Sequence, residues 1–486
     1  MKRHLDRLLR HIHTKERHPQ SDPLPENPVQ DVVAPVSVAK MILTYLVLML
    51  LAVSSVVCQY PVEEQRVFAH FIVGNAAAMT PAQWEADIIE AQKAHIDGFA
   101  LNIAPQDDYT DRVLQVAYDA AERVGNFSLF LSFDYLSGGP WPADRVVKTI
   151  NAFKDRPAQF YFRGKPLVST FEGAGNTGDW PNIKAATGCM FIPCWTSLGP
   201  TGIVDVLDII DGAFSWDAWP VGARDKDTAS DEAWMKALAG KPYMLPVAPW
   251  FYTNLPRWHK NWLWRGDDLW HYRWRQIMDL QPPIVQILSW NDYGEAHYIG
   301  PIHEEGVPEG ALPYVSRHPH DAWRTFLPHY IDAYRRNSPI CQQSSCRFST
   351  LSKTQYPISF ADKIVYWYRL NPGGSGSADG TTGNNPAMGQ PAMPPQELAQ
   401  DRVFVSAFVP EPSHVYVQIG EHPPTILRAQ ASVINHFSVP FNGQTGRVKF
   451  AIVRDHEEKA SAVGPAITDQ CIHNKVDWNA YVGSSD

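Results

Sequence analysis

Eight short apolar runs constrain this chain more than any other feature. They recur at roughly 20–40-residue intervals with amphipathic stretches between them. They are Val67–Val73, Gly98–Ile103, Ser128–Phe133, Pro166–Phe171, Met190–Trp195, Gly212–Trp216, Tyr243–Ala248 and Ile284–Trp290. Strands buried on both faces read as near-continuous apolar runs, and parallel sheets are built from such strands. Two intervening helices are legible in detail. Thr80-Pro81 supplies a cap and a first-turn proline, followed by a stripe of Trp84, Ile88, Ala91 and His95. Asp111 opens the other, with Leu114, Ala117, Ala121 and Val124 on one face and Gly125 as its stop. The pattern predicts an α/β fold, a (β/α)8 TIM-type barrel over residues 65–340. A doubly wound open sheet is the alternative, but no glycine-rich phosphate loop follows the first run.

A small antiparallel β-sandwich is expected over residues 355–486. Lys363–Arg369, Arg402–Phe408, His414–Ile419 and Arg447–Val453 alternate at a strand period. Residues 373–395 are rich in Gly, Ser, Asn and Pro and cannot pack a core, so they read as a disordered loop inside the sandwich. The first of these strands follows the barrel closely, which predicts rigid docking.

Residues 1–58 read as a basic leader and signal sequence. Met1–Lys40 is polar and basic, and Met41–Cys58 carries an apolar core with small residues near Cys58. An uncleaved signal anchor is the alternative, although the apolar run is short for a span of about 20 residues. Secretion, with no membrane association after cleavage, is the expectation. Cys189 with Cys194, and Cys341 with Cys346, could then close short loops, leaving Cys471 over. Asn126-Phe127-Ser128 is an acceptor for glycosylation. The net charge of −9 argues against nucleic acid or an anionic membrane as partner. The 17 tryptophans and 19 tyrosines admit two uses, an aromatic core or stacking on sugar faces.

The eighth run ends in Trp290-Asn291-Asp292-Tyr293-Gly294-Glu295. Strand C-termini of parallel barrels display catalytic groups. Paired carboxylates beside aromatic rings suit glycosidic cleavage, where one carboxylic acid protonates the leaving oxygen and a second carboxylate activates water or attacks. The same mouth collects His70, Asn102, Asp134, Glu172, Trp216, Trp219, Trp250 and Tyr252, together with Trp290, His297 and Tyr298 beside the pair. These are the candidate substrate contacts, apart from Glu172, which adds an acid. Asp107 and Asp108 lie in the loop after the second run, while Asp97 precedes it and belongs to the structural end. No Gly-x-Ser-x-Gly elbow is present. His297, His303, His318 and His320 lack metal-site spacing, so no metal is expected. Trp258 to Trp262 and Trp270 to Trp274 have the spacing of helical pairs and read mostly as core.

Val67–Asn75, Asp97–Asn102, Leu131–Asp134, Val247–Thr253 and Ser289–Gly300 resemble, in order and spacing, glycoside hydrolase family 71, the fungal α-1,3-glucanases or mutanases. The resemblance runs from Val67 to Thr325 and more weakly to Gly483. It implies endo-hydrolysis of α-1,3-glucan with inversion and no cofactor; a secreted monomer acting on cell-wall glucan is the expectation. The family's paired acids map onto Asp292 and Glu295, and a further aspartate onto Asp107, which is followed by Asp108-Tyr109-Thr110. Two departures are Glu172, where the family often has a small residue, and the length of the 373–395 loop. Glu295 is assigned as acid and Asp292 as base. Inversion needs the working carboxyls about 6.5–9.5 Å apart. The turn must therefore splay the pair, or a third acid must act, Asp107 first and Asp134 next. Competing readings are a non-catalytic glucan-binding wall protein and a membrane-anchored transglycosylase.

Overall fold

The apolar runs become strands whose lengths follow their local chemistry. The computed structural model describes residues 65–336, 361–375, 393–471 and 476–485. The leader, the Met41–Cys58 run, Cys341, Cys346 and most of the 373–395 segment lie outside them. The eight strands are β1 (Arg66–Ile72), β2 (Gly98–Ile103), β3 (Ser128–Asp134), β4 (Lys165–Phe171), β5 (Met190–Phe191), β6 (Ala213–Phe214), β7 (Tyr243–Val247) and β8 (Ile284–Ile287). They pair in parallel in the order β4-β3-β2-β1-β8-β7-β6, with β5 on the far side of β4. Single parallel bridges, Phe171 to Cys194 and Cys194 to Phe214, carry the order on from β4 to β6. β5 is shorter than its run because Pro193 has no N–H to give a ladder, although its carbonyl still accepts from Phe214.

Alternate residues of each strand enter two different cores. Phe68, Ala100, Phe130, Leu167, Ile192, Phe214, Met244 and Ile284 form one cluster. Phe71, Phe99, Leu131, Val168, Phe191, Leu245 and Val285 join another, shared with the helices. The first cluster is the inside of a curled sheet, and one residue pair further along, its row turns polar at His70, Asn102, Ser132, Ser169 and Gln286. That change of polarity distinguishes the C-terminal end of the strands.

Helix α1 (Pro81–Lys93) starts on the expected Thr80 cap, which exchanges hydrogen bonds with Gln83 in a capping box. Trp84, Ile88 and Ala91 are buried along it. His95 does not continue the stripe: it lies past the helix end at φ 62°, paired with Asp332. Helix α2 (Thr110–Val124) stops at Gly125, φ 75°, as its sequence implies. Asp97 sits at the opposite end of the strands, bonded to the Val67 N–H and Arg335. Helix α3 (Leu269–Leu280) buries Trp270 and Trp274. Trp258 and Trp262 are not a helical pair, because Trp262 lies in an antiparallel hairpin of Tyr252–Leu255 with Lys260–Leu263. Cys189 and Cys194 are buried free thiols and do not close a loop.

The described residues of the C-terminal region hold eight strands, twice the number legible by alternation. They are β9 (Lys363–Arg369), β10 (Arg402–Phe408), β11 (Ser413–Ile419), β12 (Thr425–Ala429), β13 (Ile434–Pro440), β14 (Gly446–Arg454), β15 (Glu457–Ile467) and β16 (Ala480–Ser484). Two antiparallel sheets result, β13-β10-β9-β16 and β12-β11-β14-β15. Ile364, Tyr366, Val403 and Val405 of one share a core with Val415, Val417, Phe450 and Ile452 of the other. The opposite face of the first sheet, through Val365, Trp367, Phe404 and Val482, belongs to the same core as Trp323, Tyr330 and the α/β region. A buried ion pair, Arg369 with Asp267, crosses this contact. The Trp250 indole donates to Trp478 O at 3.0 Å and the Tyr252 hydroxyl to Val476 O at 3.1 Å.

Candidate active site

Beyond β8 the chain doubles back on itself. Ser289 N–H donates to His297 O, Ile299 N–H to Ser289 O, and Gly300 N–H to Trp290 O, at 2.8, 3.0 and 2.8 Å. Only glycine fits at position 300, where a Cβ would lie 2.6 Å from Trp290 Nε1 and 2.7 Å from Trp290 O. Asn291 ties the loop to the end of β1: its side chain accepts from Ile72 N–H at 2.7 Å and donates to Ile72 O at 3.0 Å. Trp290 is fully buried beneath, its indole donating to Asp87 at 2.8 Å. The loop is thereby held rigid before its acids are presented.

Both carboxylates converge on one histidine. His297 Nε2 lies 3.2 Å from Glu295 and 3.4 Å from Asp292, and one oxygen of each acid and this nitrogen all lie within 4.8 Å of one another. The pair is not splayed, contrary to the spacing that inversion by these two acids alone requires. Ser289 Oγ accepts the Asp292 N–H at 2.8 Å and meets His297 Nδ1 at 3.0 Å, which fixes the ring. Asp292 Oδ1 also accepts the Glu295 N–H at 3.1 Å.

A residue with no sequence signal completes the cluster. Lys260, on the second strand of the Tyr252–Leu263 hairpin, places Nζ 2.6 Å from Glu295. The hairpin is tacked to the loop after β8 by the Tyr252 N–H on Glu295 O at 3.1 Å. The acids retain 14% and 16% side-chain exposure and Lys260 38%, against none for His297, so the acids and the lysine are reachable from solvent. Burial works to raise both carboxyls. At Asp292 it prevails over His297 and Lys260, and the carboxyl is raised. At Glu295 Lys260 and His297 overcome it, and the carboxyl is held far below its usual range. The order is opposite to the sequence-based assignment of acid and base. Three ligand atoms this close could share a cation, but Glu295 already has the Lys260 ammonium as countercharge, so the set does not call for a metal.

The remaining candidates divide. His70, buried on β1, meets the Gln286 amide at 2.9 Å, and its ring lies 4.8 Å from that of Trp216. Burial pushes its imidazole down to about 3, so it faces the acids neutral. Asp134, at the end of β3, is raised by burial, accepts from Leu136 and Ser137 N–H and from Asn102, and lies in the field of Lys260. Asp107 is raised by burial and bonded to Tyr109; its charged neighbour is Asp108, and neither member of the pair is among its partners. Glu172 accepts from Ser197 alone, through the backbone N–H at 3.0 Å and the hydroxyl at 2.5 Å. Trp219 is 6% exposed, its ring 5.3 Å from that of His297.

Trp250, Tyr252, Trp290 and Tyr298 have no exposed surface, and each polar atom is spent on the protein, Tyr298 on His318 O at 2.5 Å. Of the 17 tryptophans, Trp216 and Trp258 alone fall outside the buried class, Trp258 at 46%. Abundant aromatics therefore report mostly on packing, and the free ring of Trp258 is a stacking candidate that sequence spacing concealed. Two cavities of about 450 and 350 Å³ do not include the paired acids; the larger is lined by His95, Asp97, Asp332 and Arg335, among others.

Residues 63–486 match the family model of glycosyl hydrolase family 71. The chain belongs to that family. A mutanase of Penicillium rubens is 33% identical over 87% of this chain and 89% of its own length. The glucan endo-1,3-alpha-glucosidase agn1 of Schizosaccharomyces pombe is 34% identical over 90% of this chain and 99% of its own. Among solved structures, a GH99 endo-alpha-mannosidase from Bacteroides thetaiotaomicron aligns with TM-score 0.43 and 15% identity, over 56% of this chain and 98% of that one. As a family 71 member the chain is a glycoside hydrolase.

Proposed function

We propose that this family 71 hydrolase cleaves α-1,3-glucan internally, as the names of its relatives say of those proteins, with Asp292 and Glu295 as the working carboxyls. Asp292, raised by burial, delivers the proton to the glycosidic oxygen. Glu295, kept anionic, acts as base. Inversion remains part of the proposal: substrate entering between the acids parts them, or Asp134 or Asp107 takes the water-positioning role from the facing strands. His70, Asn102, Trp216 and Trp219 contact sugar. Trp250, Tyr252, Trp290 and Tyr298 act as the packed frame. We further infer a (β/α)8 barrel over 65–340, a docked β-sandwich over 355–486, and a monomer without cofactor that is secreted after loss of residues 1–58 and works at the cell wall. Among the described residues no helix is long and apolar enough to cross a membrane.

The observation that carries the reading is the convergence of Asp292 and Glu295 on His297 at a solvent-reachable strand end, in a chain matched to the family along most of its length. Chromatography of products from soluble α-1,3-glucan oligomers tests it. Asp292→Asn and Glu295→Gln should each lower turnover about 10²–10⁴-fold while melting like wild type. Near-normal turnover in both well-folded variants would remove the assignment.

A further inference from the structure

Two carboxyls held within 4.8 Å do not both ionise readily, because repulsion and burial favour a proton on one of them, and a cation built beside one acid decides which of the two keeps its charge. The sequence around the acids offers none. The cation comes from a different element: Lys260 stands 35 residues upstream, in the hairpin that follows β7. Its ammonium is 2.6 Å from Glu295 and also lies in the field of Asp292 and Asp134. Position and backbone are fixed independently of the charge, because the hairpin pairs Lys260 with Leu255 and hangs from Glu295 O through the Tyr252 N–H.

We propose that Lys260 is a positioning residue of the hydrolase: its ammonium holds and aims the Glu295 carboxylate as the anion, so that proton delivery falls to Asp292. The inference rests on Glu295 being a working carboxyl. The other groups facing Glu295 do not substitute for the lysine. His297 and Asp292 come from its own loop, and His297 is shared between both acids. His70 comes from β1, where burial keeps it neutral, and Tyr314 comes from the 312–315 turn with its hydroxyl given to Gly294 O at 2.7 Å. Asp134 on β3 adds negative charge and needs the same cation. Lys260 thus sets the two acids apart by bonding Glu295 from outside the loop, in addition to what His297 contributes. Its Coulomb interaction with Glu295 raises its own affinity for the proton, which keeps it charged across the working range.

The test uses the full chain, with Lys260→Met, Lys260→Gln and the charge-keeping Lys260→Arg. Carboxyl carbon NMR, with the Glu295 signal assigned by Glu295→Gln, follows the titration directly. The neutral variants should move the Glu295 midpoint up by about 1–3 pH units, and Arg should restore it. The acidic limb of kcat/KM on soluble α-1,3-glucan oligomers should move with it, again rescued by Arg. An unchanged Glu295 titration in a folded Met or Gln variant overturns the proposal. A moved titration with an unmoved limb also overturns it, because the lysine would then be an ion-pair partner without a share in the reaction. Failure of wild type to cleave any α-1,3-glucan would end the proposed function instead, while the titration would still decide what Lys260 does to Glu295.

Discussion

Three residues separate Asp292 from Glu295, yet their carboxyls meet different surroundings. The Asp292 carboxyl accepts the Glu295 N–H within its own turn, whereas Glu295 reaches an ammonium from another element. The motif made both acids legible; their division of labour was not, because it depends on Lys260, which no local pattern marks. The third-acid question belongs to this scale. Asp134→Asn should impair turnover more than Asp107→Asn, since Asp134 lies in the field of Lys260 and Asp107 is bonded to Tyr109. NMR of fresh products should show the β anomer; initial α products would mean that the close spacing of the pair is the working one. Trp250 tests the reassigned aromatics. Trp250→Phe removes the bond to Trp478 and part of the ring beneath Arg369, 4.2 Å away. A loss of about 1–3 kcal/mol in denaturant unfolding with unchanged KM is expected; a raised KM at normal stability would restore it as a sugar contact.

The Tyr252–Leu263 hairpin is the element that sequence reading missed most completely. Its tryptophans have helical spacing, but Leu255-Pro256 and the left-handed His259, φ 54°, turn the chain instead. The turn leaves Trp258 exposed with Arg257 over its ring at 5.2 Å. The same hairpin carries Lys260, which makes the exposed Trp258 a candidate platform for sugar units beyond the paired acids. Trp258→Ala should raise KM several-fold for long glucan and leave short oligomers and stability little changed; equal effects on both substrates would count against it. The helices were easier. A capping box at Thr80 and a left-handed glycine at 125 are local signals, and local signals survive in a single sequence.

At the level of the whole molecule, the C-terminal sheets are part of the fold's core and not an appendage. Asp267 and Arg369 are buried together where the two regions meet, so Asp267→Ala leaves a guanidinium without its countercharge and should cost about 3–5 kcal/mol by chemical denaturation. Deleting everything after residue 359 strips cover from Trp250 and Trp323 and should give insoluble protein; a soluble, active truncation would contradict this. Acid sensitivity follows from buried histidines. Burial pushes His318 down to about 4 and His320 to about 3. Between the ordinary value near 6.5 and these values the unfolded chain binds more protons, so their contribution is present above pH 6.5 and is lost as pH falls. The slope is about 1.4 kcal/mol per pH unit for each histidine. Asp477, 3.5 Å from His318 and raised by burial to about 8, works in the opposite sense over this range, so the histidine share is read by difference. His318→Asn should be less destabilised than wild type on going from pH 6.5 to 4, and parallel melting profiles would refute it.

Alternation, capping and the Trp290–Glu295 motif are carried by neighbours in sequence, and they sufficed for the eight parallel strands, the first two helices and the paired acids. Four of the eight C-terminal strands escaped notice. β12, for example, buries only its last residue, so no apolar row on either face marks a period. β9, expected to alternate, is instead buried on both faces, because one face meets the opposing sheet and the other the α/β region, a fact that no single segment contains. The same holds at the site. Which rings face sugar and which face the second sheet, and which acid keeps its charge, depend on groups brought together across many residues. Burial and Coulomb interaction act through space, and only the tertiary structure supplied those distances.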